Sequence, residues 1–195
     1  MGTQLTYWRY FENHERPLNG DLLLGGVLRS VQAGLHEVRD SLPTLTDRID
    51  RAADLFTDPQ ATPGLGVADR RLASRAHRRL QGLVVNFDSS HGLHGEPHDG
   101  NVLWTEAGPL LIDFEASCSG SVEWDLAYLP DAAHAAFPDR DDALIATLRP
   151  AVSFCVAAWC WRNRHERQRS RTQPRTISRC YGKAGWPGQG DRAGR

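Results

Sequence analysis

The stretch His94-Gly95-Glu96-Pro97-His98-Asp99-Gly100-Asn101 constrains the fold more than any other part of the chain. Two glycines and a proline in so short a run exclude a helix there. The loop follows three helix-patterned segments and precedes the apolar run Leu110-Leu111-Ile112, which ends in Asp113-Phe114-Glu115. Residues Asn101 to Trp104 and Leu110 to Phe114 are predicted as two short strands. Glu106-Ala107-Gly108-Pro109 forms the hairpin-like link between them. A polar loop and a strand-borne aspartate are thereby joined through one small β element.

The rest of the chain is read as helical. Leu24, Leu28, Val31, Leu35 and Val38 recur at three- and four-residue steps and predict a helix from Asp21 to Asp40. Leu42-Pro43 ends it. Thr44 or Thr46 caps a second helix to Phe56, with Leu45, Ile49, Ala52 and Phe56 on one face. A third runs from Val67 to Gln81, with Leu72, Ala76 and Leu80 inward and five arginines mostly outward, and stops at Gly82. Leu83 to Phe87 reads as a short β-rich run into the polar loop. Beyond the hairpin, Ser121 caps a helix ending near Pro130. Two further helices, Asp139 to Leu148 and Ala151 to Trp161, are separated by Pro150. Residues 7–161 are predicted as one lobe and 162–195 as a basic, poorly ordered tail.

Charge and cysteine usage exclude several classes. Residues 1–161 hold 13 Lys/Arg against 22 Asp/Glu, while 162–195 hold 10 against 2. An acidic body offers no electrostatic footprint for DNA or RNA, so no nucleic-acid partner is expected. Cysteines at 118, 155, 160 and 180 form no CxxC pair, which argues against a redox dithiol or a ribbon-type zinc site and favours the cytoplasm. The most apolar run, Ala151 to Trp161, is 11 residues long, short of the roughly 20 needed to cross a bilayer, so no membrane association is expected.

The polar residues suit phosphoryl transfer, which needs alignment of reacting atoms and neutralised phosphate charge more than covalent chemistry. Asp113, at the end of an apolar strand, is the candidate main ligand for Mg²⁺. Asn101 offers a neutral carbonyl oxygen as a second ligand, because magnesium retains waters and needs few protein oxygens. Glu96, five residues before Asn101, can accept or orient a substrate hydroxyl. His94 is assigned to holding the loop by hydrogen bonds, and Gly95 to a backbone geometry a side chain forbids. An alternative zinc cluster of His91, His94 and His98 with Glu96 and Asp99 lacks the helical HExxH arrangement. Glu115 either assists the metal or faces solvent. Asp88 is read as structural.

These residues resemble the Brenner-type motif of the aminoglycoside phosphotransferase and choline kinase-like enzymes, distant relatives of protein kinases. The pattern is histidine-glycine-aspartate, an asparagine five residues after the aspartate, then isoleucine-aspartate-phenylalanine after a hairpin. The resemblance covers 91–129 strongly and extends back to about Tyr7. It implies an α+β fold: the mainly helical C-terminal lobe of a protein kinase-like fold with a small β-hairpin at the active site. It also implies a catalytic-base role for position 96, metal roles for Asn101 and Asp113, and ATP or GTP with Mg²⁺. The γ-phosphate would pass to a hydroxyl of a small-molecule acceptor, aminoglycoside-like or an amino alcohol. Trp124-Asp125-Leu126-Ala127 matches a further family segment, which implies that Asp125 braces the loop.

Two departures shape the expectations. Position 96 is Glu where the family has Asp, and a displacement of about 1 Å can cost on the order of 10²-fold in rate. Only about ten residues precede the hinge, since Trp8 to Glu12 resembles the end of the family's nucleotide lobe and its hinge, and the first lysine is Lys183. The N-terminal nucleotide lobe with its phosphate-binding lysine is therefore expected to be largely missing. A truncated lobe is expected to be weakly active or inactive alone, a remnant or an interaction module. It is also expected to be marginally stable or to self-associate through the face that lobe would cover.

Overall fold

The computed structural model describes residues 10–84 and 91–168. Leu5 to Arg9, Val85 to Phe87, Asp88, and residues 169–195 of the expected 162–195 tail, which include Cys180 and Lys183, lie outside the described residues, whereas residues 162–168 continue the last helix. Among the described residues five α-helices carry the fold: α1 (Gly20–His36), α2 (Leu45–Thr57), α3 (Val67–Val84), α4 (Glu123–Leu126) and α5 (Asp142–Gln168). Four short strands among the described residues, β1 (His91–Leu93), β2 (Val102–Thr105), β3 (Gly108–Leu111) and β4 (Cys118–Gly120), form two antiparallel pairs, β1 with β4 and β2 with β3. This is the mainly helical α+β arrangement expected of a kinase-like C-terminal lobe.

Helix α2 starts where the sequence places it. The Thr44 side chain accepts from the Asp47 amide, and the Asp47 carboxylate accepts from the Thr44 amide, a reciprocal capping box. Helix α1 ends earlier than the periodicity suggests, at His36, and Val38 is exposed. Helix α3 runs through Gly82 and includes Leu83 and Val84, so the β-rich run read there is helical at its start. Its Leu72 is exposed and Ala73 is buried in its place. Arg70 also turns inward, donating to the carbonyls of Phe56 and Thr62 and clamping the end of α2.

The largest departure lies at Pro150. The two helices read from the sequence are one, α5, which starts at Asp142 and contains Pro150. Proline removes one backbone bond and costs about 3 kcal/mol in a helix interior. Leu148, Ala151, Phe154 and Cys155 are almost wholly buried on either side of it. Burying side chains of this size contributes about 1.5–3 kcal/mol apiece for the larger ones, which offsets the proline. Continuity also lengthens the apolar stretch: Asp142–Arg162, 21 residues with an 18-residue window of mean hydropathy 1.6, is long and apolar enough to cross a bilayer. In this fold that helix forms one wall of a core.

Helix α4 is a single turn. A 3-10 segment, Asp131–Ala136, follows Pro130. The hairpin turn is tighter than expected, Glu106-Ala107 alone, because Gly108 enters β3 with φ +118°. Strand β3 ends at Leu111, so Asp113 lies beyond it, and Phe114–Ala116 is a 3-10 turn rather than strand. The pairing of β1 with β4, Leu93 opposite Cys118, was not foreseen.

Two cores flank the polar loop. One packs Ile49, Ala52 and Phe56 of α2 against Leu148, Phe154 and Ala158 of α5, with Leu93 and Trp124. The other packs Leu24 and Leu28 of α1 against Val102, Trp104 and Leu111 of the hairpin, with Leu126, Leu129 and Ile145. Two residues of α4, one position apart from Asp125 on either side, enter different cores, Trp124 the first and Leu126 the second. Asp125 between them is left facing the loop.

Candidate active site

The loop is built from Asp125 outward. Its carboxylate is fully buried and accepts from three N–H groups: the His94 amide at 2.9 Å, the Gly95 amide at 2.8 Å and Gln32 Nε2 at 2.8 Å. Burial raises its pKa, and the bonds from Gln32, Gly95 and His94 oppose that by favouring the charged form. The Trp124 indole donates to the Gly95 carbonyl at 2.9 Å, so both backbone polar groups of Gly95 are satisfied. Gly95 has φ +90°, and a Cβ there would collide with the Ala116 carbonyl oxygen. Only glycine fits.

His94 is also buried, and both ring nitrogens are engaged. Nε2 lies 3.0 Å from the Ile112 carbonyl, and Nδ1 is 3.4 Å from the Glu96 amide. A ring that donates through Nε2 and accepts through Nδ1 is neutral. Burial lowers the histidine pKa, against the raising pull of Asp125, the Ile112 carbonyl, Asp113 and Glu96. The Phe114 ring packs on the imidazole at 4.7 Å between centroids. His94 thus holds the loop and lacks a lone pair free for a metal. Among the described residues no group of three or more His, Cys, Asp or Glu side chains could hold a metal ion, which removes the zinc-cluster alternative there.

Asn101 joins the loop to the Asp113 arm. Its Nδ2 donates to the Glu96 carbonyl at 3.0 Å, and its own carbonyl accepts from the Ile112 amide at 3.0 Å. Ile112 is therefore gripped at both its amide and its carbonyl. Asp113 follows with φ 65° and ψ 68°, a left-handed conformation uncommon for an aspartate, and its side chain is exposed. The backbone is held while the carboxylate faces outward. Glu115 is exposed as well.

Glu96 differs from the other acids. Its side chain is 20% exposed, and one carboxylate oxygen, Oε1, is hydrogen-bonded by the Arg48 guanidinium of α2. Among the described residues Oε2 has no hydrogen-bond partner. Arg48 is buried and also donates to the Ala116 carbonyl at 3.1 Å. Burial works against its charge, but Tyr128, Glu96, Cys155 and Cys118 outweigh this and raise its pKa.

Sequence reading missed Arg48 and Gln32. A signal existed for each: Arg48 lies three residues after Leu45, and Gln32 four after Leu28, both on faces read as apolar. It also missed how the segment before α1 is fastened. Asn13 Oδ1 accepts from the Trp104 amide, His14 N donates to the Trp104 carbonyl, and Arg16 bridges Asp99 and Asp21.

Fold and candidate site together describe a kinase-like C-terminal lobe: a braced histidine-glycine-acid loop, an asparagine tied to it, and an outward aspartate on a gripped backbone. The chain belongs to the phosphotransferase enzyme family (APH), whose model matches residues 21–172. No curated protein matches the chain.

Proposed function

We propose that this chain carries the phosphoryl-transfer site of a small-molecule kinase, moving the γ-phosphate of ATP or GTP to an acceptor hydroxyl. The observation that supports it most is the double grip on Ile112 by His94 and Asn101, which ties the Glu96 loop to the Asp113 arm. Transfer forms a bond from the acceptor oxygen to the γ-phosphorus as the bond to the β,γ-bridging oxygen breaks, leaving the nucleoside diphosphate. Glu96 Oε2 orients the hydroxyl and takes its proton. His94 keeps the loop in place and does not titrate in the reaction.

Asp113 and the Asn101 side-chain oxygen would hold Mg²⁺. Their donors fit a hard cation that draws its remaining ligands from phosphate and water. Bound there, the metal neutralises phosphate charge. The acidic body, with 22 Asp/Glu against 13 Lys/Arg in residues 1–161, favours a cationic acceptor such as an aminoglycoside or an amino alcohol.

The test is phosphate release from Mg-ATP by the 195-residue protein beside its Asp113→Asn variant. Weak turnover, as expected of a lobe without the phosphate-binding lysine, that the variant abolishes is the expected result. Turnover equal in both, or none in either, overturns the assignment. A second reading, a non-catalytic interaction module of the same fold, draws on the engagement of Glu96 by Arg48. It predicts no turnover with folding intact.

A further inference from the structure

The Arg48–Glu96 pair is not explained by stability. A buried ion pair is commonly no more stabilising than apolar side chains of similar volume, since both charges lose water. Arg48 even leaves its Nε buried without a hydrogen-bond partner. The two nitrogens that are used join separate arms of the site. One reaches the Glu96 carboxylate on the loop, and the other reaches the Ala116 carbonyl, three residues beyond Asp113. The same Ala116 carbonyl sits against Gly95. A planar guanidinium holds two such acceptors in a fixed relation, which the single point charge of an ammonium does not.

We infer that Arg48 is a positioning residue of the phosphoryl-transfer site, whose guanidinium fork sets the Glu96 carboxylate relative to the Asp113 arm and leaves Oε2 for the acceptor hydroxyl. The inference rests on the phosphotransferase reading above. It also accounts for a glutamate at position 96. The longer side chain reaches back to α2, and Arg48 restrains the freedom that its extra methylene would add. Arg48 touches neither substrate nor metal in this scheme and acts only through Glu96 and the 114–116 turn.

Arg48→Lys keeps the charge and removes the fork. Circular dichroism establishes folding, and phosphate release from Mg-ATP, with water as acceptor, gives kcat and KM per folded molecule. Expected are a folded variant, a KM for Mg-ATP within about twofold of wild type, and a kcat lower by about 10²-fold. A purely structural pair would leave both constants unchanged in the folded fraction, and that result overturns the inference. If Arg48→Lys does not fold, Arg48→Gln, which strands no buried cation, is held to the same criterion. Failure of both to fold also overturns it, in favour of a structural pair. Wild-type protein without turnover removes the phosphotransferase reading and this inference together. Active wild type with an unaltered Arg48→Lys removes this inference alone.

Discussion

Asp125 and Glu96 are carboxylates on opposite sides of one loop, and their surroundings differ in kind. Asp125 has no solvent contact and accepts from two loop amides and Gln32. Glu96, next in sequence after those amides, keeps 20% of its side chain exposed and one oxygen without a partner among the described residues. The interior side is satisfied from within and contributes to folding. The outer side, Glu96 and Asp113, leaves acceptors facing outward, as a site must if a ligand is to complete it. Rigidity behind and open valence in front belong to the same few residues, because the chain alternates between them: His94 and Gly95 inward, Glu96 outward.

The sharpest way to break that comparison is Asp125→Ala. It leaves buried N–H donors without acceptors, each costing about 1–3 kcal/mol, so a loss of roughly 4 kcal/mol or more is expected in urea unfolding. A loss below about 1 kcal/mol would mean the brace is not structural. Gly95→Ala comes next. With φ +90° and the Ala116 carbonyl in the way, it should destabilise by about 3 kcal/mol. An unchanged melting temperature would contradict the geometry.

The pH dependence from His94 is smaller. Its folded pKa is depressed, so below the ordinary histidine value of about 6.5 the unfolded chain takes up a proton that the folded one does not. Stability should therefore be full above that value and fall as pH drops through it, by up to about 1.4 kcal/mol per pH unit. Asp125, raised by burial, acts in the opposite sense at lower pH. The measured quantity is accordingly the difference between wild type and His94→Gln, and equal slopes between pH 6.5 and 5.5 would reject it. Asp113→Asn should have the least effect on stability, within about 0.5 kcal/mol, because its side chain is exposed. A large loss there would erase the division between the two sides.

Much of this site was legible in the residues. The glycines and proline of 94–101 bar an α-helix and leave only the 3-10 turn Asp99–Asn101, Thr44 and Asp47 announce the start of α2, and the motif puts Glu96, Asn101 and Asp113 at one hairpin. Those are local facts: backbone preferences and short spacings act within a few residues. The tertiary structure alone decided that Arg48 and Gln32 turn inward, that α5 continues through Pro150, and that β1 pairs with β4. Each of these depends on a partner far along the chain. Arg48 and Glu96 are 48 residues apart, Gln32 and Asp125 93. A polar side chain on an apolar face can be buried only when such a partner meets it, and periodicity carries no record of that meeting. The sequence therefore determined which polar groups line the candidate site, and the packing of two cores around one loop decided how they are held.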